Sequence, residues 1–158
     1  MTSTDLSTRI KLRVHPEPYD VDISPSGNFD FILKSKAIFA NGKYAVGFKQ
    51  ISAPIDYDQF LEIRSEAQKL TKSRWLFREV GLYLIICGKE NFWSDQQEMI
   101  VADKTGLHSI IINAVHFVDP DTGKTHLTTS SWGSVEFGDV NLISKVIEEE
   151  LKQPQQAG

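Results

Sequence analysis

The chain has 158 residues, 41% hydrophobic and 24% charged, a balance that fits one folded domain and excludes a largely disordered chain. Its formal net charge of -4 excludes a protein built chiefly to hold a nucleic-acid backbone. The single cysteine, Cys87, excludes an internal disulfide, and inside an apolar run it reads as a small hydrophobe.

Residues 1–8 are small and polar and read as a flexible tail, as do residues 153–158, which leaves 9–152 as a single domain. From Arg9 to Val14 the residues alternate, with Ile10, Leu12 and Val14 against Arg9, Lys11 and Arg13. That predicts a half-buried strand with a basic row on its outer face. The prolines at 16 and 18 break the pattern, and Tyr19 to Ile23 predicts a short strand before the turn at 25–28. Residues 29–40 and 43–51 read as the arms of a hairpin around Asn41-Gly42. This register sets Phe39 opposite Tyr44, and Gly47 is expected at a bulge or under a close-lying helix.

The centre of the chain carries the clearest pattern. Phe60, Ile63, Ala67, Leu70 and Phe77 fall at helical steps, predicting a helix over 55–79. Asp56 and Gln59 have the spacing of a capping box, and Ile55 with Phe60 that of a hydrophobic staple. Helix propensity sags at Thr71-Lys72-Ser73, which offers an earlier stop. Residues 80–87 then read as a strand buried on both faces, and too short to span a bilayer.

Residues 89–104 read as a polar loop containing Phe92-Trp93, with a short helix or strand around 97–101 as the alternative. His108 to Asp119 predicts a strand, 119–124 a turn, and Thr125 to Trp132 a Thr-rich return strand. Pairing Asp119 with Lys124 places His126 opposite Phe117, so His116 and His126 leave the sheet on opposite sides. Asp139 caps a last helix with Val140, Ile143, Val146, Ile147 and Leu151 on one stripe. The acidic run 148–150 reads as its solvated side, with a docking patch for a basic partner as the alternative.

No spacing in the chain meets the demands of a named chemistry. Gly123-Lys124-Thr125 lacks the first glycine of a phosphate-binding loop and opens a strand instead of a helix. Asp119 and Asp121 are not followed by the glycine and glutamate of a calcium loop at their places. The histidines do not converge as metal ligands, and Ser130-Ser131 and Cys87 have no activating base in view. The expectation is therefore no cofactor, no metal and no catalytic residue.

Element order predicts an α+β fold: a mainly antiparallel sheet from two hairpins plus a central buried strand, with two amphipathic helices packed on one side. The function expected is a non-catalytic protein-interaction module using a sheet face or edge, with a protein partner or a second copy of itself. The alternative is a small-molecule-binding protein, or small hydrolase, with a pocket between sheet and helices. Phe92, Trp93 and Trp132 are the candidate binding residues, because large amphipathic rings in polar loops suit a half-wet contact. No N-terminal apolar run resembles a signal peptide, so a cytoplasmic protein without membrane contact is expected.

Overall fold

A computed structural model describes residues 1–23, 28–35, 43–71, 80–96, 110–129 and 140–152. In chain order its main elements are α1 (Ser3–Val14), β1 (Val21–Asp22), β2 (Phe31–Lys34), β3 (Lys43–Gln50) and α2 (Tyr57–Thr71). They continue as β4 (Val80–Cys87), β5 (Ile110–Val118), β6 (Thr125–Thr129) and α3 (Val140–Lys152). The strands form one sheet in the order β1-β2-β3-β4-β5-β6.

The fold is α+β, but its sheet is mixed. β3, β4 and β5 run parallel, while β1–β2, β2–β3 and β5–β6 are antiparallel. The expected mainly antiparallel sheet fails at its centre because direction there is set by the crossovers. α2 carries the chain back across the sheet, so β4 starts at the same end as β3. The full run β4 alternates between two cores. Tyr83, Ile85 and Cys87 join one with α1 and α3, and Leu82, Leu84 and Ile86 join the other with α2. Helices thus cover both faces, and the predicted open face does not exist.

The first helix is a second correction. Residues expected as a tail and a strand form α1, because Leu6, Ile10 and Val14 recur at four-residue steps and are all buried. Thr2 and Asp5 close a capping box, with the Thr2 amide donating to the Asp5 carboxylate at 3.2 Å and the Asp5 amide to Thr2 Oγ1 at 3.1 Å. Leu12, which strand alternation would bury, is 74% exposed. Arg9 and Arg13 do not form an open basic row, because they are spent on acids of α3. Both reach Glu150, at 3.6 and 3.2 Å, and Arg13 also holds Glu149 at 2.6 Å. The acidic run of α3 is thereby answered within the molecule. Glu150 is only 4% exposed, and the two guanidiniums compensate its loss of water.

α2 begins as its sequence specifies. The Asp56 amide donates to Gln59 Oε1 at 3.0 Å, and the Gln59 amide to Asp56 Oδ1 at 2.8 Å. Phe60 is buried, and Ile55 packs into the same core. The helix is described to Thr71, whose hydroxyl turns back on the Ala67 carbonyl at 2.8 Å; residues 72–79 lie outside the described residues. Replacing Asp56 with Ala is expected to cost about 0.5–2 kcal/mol, since it orphans first-turn amides. Chemical denaturation should register this as a lower midpoint at unchanged slope.

The first hairpin forms, in a different register. Phe31 pairs with Phe48 and Lys34 with Ala45, so Ser35, not Phe39, meets Tyr44. The shift is an even number of residues, so each side chain keeps its face. Phe31 and Phe48 pack as tilted rings with centroids 5.5 Å apart, and Leu33 lies opposite Val46 on that side. This cross-strand packing accompanies the observed register; residues 36–42, with Asn41-Gly42, lie outside the described residues. Gly47 marks no bulge, and a Cβ there would meet Phe29 at an ordinary 3.6 Å.

Candidate functional site

The loop leaving β4 is where binding rings are expected, and it is tightly built. Gly88 sits against Ile51, close enough that a Cβ would lie 2.6 Å from Ile51 Cγ1 and 2.9 Å from the Ile51 carbonyl oxygen. Two short 3-10 turns follow, Glu90–Phe92 and Ser94–Gln96. They fold Trp93 back under the sheet's end, where it is 3% exposed and stacked on Phe117 with centroids 5.4 Å apart. Its indole N–H donates to the Gly88 carbonyl at 2.9 Å. Trp93 therefore plugs the core on the α2 side and offers no half-wet surface. Phe92 packs partly buried against the same core, and its carbonyl accepts from the Ile55 amide at 2.9 Å. Trp132 lies outside the described residues.

Asp119 holds this loop to the β5–β6 hairpin. Its carboxylate accepts from the amides of Glu90 and Asp121 at 2.9 Å and of Thr122 at 3.2 Å. Burial alone would raise its pKa, but the three amides favour the charged form and hold it below the usual carboxylate range. Its oxygens are engaged in ordering backbone, a structural use of an acid that sequence reading set aside as a failed calcium ligand.

Among the described residues, His116, Tyr83 and Cys87 are sealed in the core. His116 is 2% exposed, and its Nδ1 shares a hydrogen bond with the Tyr83 hydroxyl at 2.8 Å. Burial drives the imidazole pKa down to about 4 and the phenol upward, so both stay neutral. The expected hairpin register is the one observed, with Phe117 opposite His126 and His116 opposite Leu127. The two histidines thus occupy opposite sides of the sheet. Cys87 is fully buried, and burial pushes its thiol up to about 12, far from a reactive thiolate. Among the described residues no group of three or more His, Cys, Asp or Glu side chains could hold a metal.

Among the described residues, two features at the surface bear on binding. One is an open polar recess of about 330 Å³ lined by Asn28, Phe29, Asp30, Gln50 and Ser52. Its carboxylate is already engaged, since Asp30 Oδ2 accepts from the Gln50 amide at 2.8 Å. The Lys49 ammonium at its side donates to the Asn28 carbonyl. The other is β6, the last strand of the sheet. The Asp119 amide donates to the Lys124 carbonyl at 2.8 Å, which fixes the phase of the antiparallel ladder. Thr125, Leu127 and Thr129 then direct their N–H and C=O groups away from β5. Their side chains are exposed too, on the side that α1 and α3 occupy farther in. Among the described residues nothing pairs with that outer edge. The strand carries no lysine, arginine, aspartate, glutamate or proline, and no bulge, to blunt it.

The chain matches no protein-family model, no curated protein and no solved structure. Among the described residues no helix is long and apolar enough to cross a membrane.

Proposed function

We propose that this chain is a non-catalytic protein-interaction module, working in the cytoplasm, that takes up an extended strand of a partner along β6. The observation that carries the reading is the outer edge of β6, with the backbone groups of Thr125, Leu127 and Thr129 turned outward between exposed side chains. Main-chain pairing there would supply affinity, and alternate side chains would supply selectivity. The opposite edge is poorly suited, because β1 spans only two residues and Asp22 is held by Lys11 at 2.6 Å. The sealing of His116, Tyr83 and Cys87 further supports a role without chemistry.

The test is selection from a displayed peptide library with wild-type protein and with Leu127→Lys. Wild type should enrich peptides of alternating apolar residues, and the variant should lose them while keeping its stability within about 0.5 kcal/mol. Enrichment that the variant retains would place the binding surface elsewhere. A small-molecule reading has one observation in its favour, the open recess beside Asp30. A ligand thermal-shift screen repeated on Asp30→Asn would support it if a hit lost its effect in that variant.

A further inference from the structure

We infer that the strand taken up by β6 is the β6 of a second copy, in an antiparallel pairing with Leu127 on the two-fold axis; this rests on the edge reading above. A two-fold contact must be self-complementary, each residue meeting the one that mirrors it through the axis. The outward-facing set is Thr125, Leu127, Thr129, symmetric in residue type about its middle member. Centring the pair there sets Leu127 against Leu127 of the second copy and Thr125 against its Thr129. The result is an apolar pair flanked by two Thr–Thr pairs, all favourable neighbours on one face of a sheet.

The same residues that turn their backbone outward would then exchange N–H and C=O groups, which continues the ladder without a bulge. No Lys, Arg, Asp or Glu falls within Thr125–Thr129, and His126 would meet Thr128 of the second copy, so no like charges oppose one another in the pairing. The association also closes on itself. The joined sheet would end in two copies of β1, each a two-residue strand bearing an acid in an ion pair with Lys11, so growth stops at two chains.

Sedimentation velocity across a concentration series, with wild type and Leu127→Lys, measures the self-association. The expected result is a reversible dimer that the lysine weakens roughly thirtyfold or more, because two ammonium groups would meet on the axis. Register is read by cysteine cross-linking. Opposed Cα atoms at about 5.5 Å in a hydrogen-bonded pair are within disulfide reach. Oxidised Leu127→Cys should form a covalent dimer, whereas Thr125→Cys should do so only when Thr129→Cys is added. Buried Cys87 does not compete for the oxidant. A wild-type monomer throughout the series, a dimer indifferent to Leu127→Lys, or cross-linking through Thr125→Cys alone would each overturn the inference. A monomer that still selects strand peptides through β6 would leave the edge reading standing, and one that selects none would remove both.

Discussion

Replacing Trp93 with Ala is expected to lower the unfolding free energy by about 3–5 kcal/mol, the cost of removing a large ring from a filled core. The indole is stacked on Phe117 and belongs to the same buried core as Phe60, Leu84 and Ile86. Trp93→Phe should cost less. It keeps a ring on Phe117 but leaves the Gly88 carbonyl without its donor, a loss of about 1 kcal/mol for the bond itself. Guanidinium denaturation of the three proteins gives the order, and acrylamide should barely quench the Trp93 component in the native wild type. A strongly quenched Trp93, with a variant as stable as wild type, would contradict its place in the core.

In the sequence Trp93 reads as a candidate binding ring, with burial in the core as the competing reading, and the fold buries it. Its neighbours Lys89, Glu90, Asn91, Ser94 and Asp95 are polar, and 3-10 turns leave no periodic stripe to betray a buried position. The usable signal is the general tendency of tryptophan to be buried. Local chemistry elsewhere was legible. The α2 cap depends on two residues three apart, and the β5–β6 register on one short turn. Failures came where distant partners decide. The β2–β3 register follows Phe31 on Phe48, and strand direction at the centre follows the path of α2. α1 was hidden by a competing alternation, since Ile10 and Val14 fit a strand and a helix equally well and only Leu6 and the exposed Leu12 separate the two. The β6 edge was only half legible: its Thr-rich exposure could be read, but its position at the rim required the sheet.

Stability should also fall as the medium is acidified through the range set by His116. In the native protein the imidazole is held near pKa 4 by burial, against about 6.5 in an unfolded chain. The folded state therefore resists a proton that the unfolded state accepts. The contribution is fully present above about pH 6.5, declines as pH falls, and levels off below about 4 once both states are protonated. The difference amounts to roughly 3 kcal/mol at its limit. Glu148 partly opposes the effect by favouring the imidazolium, and His126 slightly adds to it. His116→Gln, which cannot titrate but can still bond to Tyr83, should show a flatter profile over that window. Urea midpoints taken at closely spaced pH values for both proteins would decide it, and parallel curves would rule out a sealed neutral His116.

Strand order in this sheet is chain order, and that has a consequence for synthesis. No strand must be threaded between two that are already joined, so each can add to a rim as it leaves the ribosome. The two sides of the sheet do not mature together. α2 follows β3 directly and can settle on its side as β4 arrives, whereas α1 is locked by residues of α3 that emerge 136 and 137 positions after Arg13. Until then Leu6, Ile10, Phe31 and Phe48 wait for their final cover. A nascent chain of this protein would present a chaperone with one greasy side for most of its translation, and lose it in the last turns of α3.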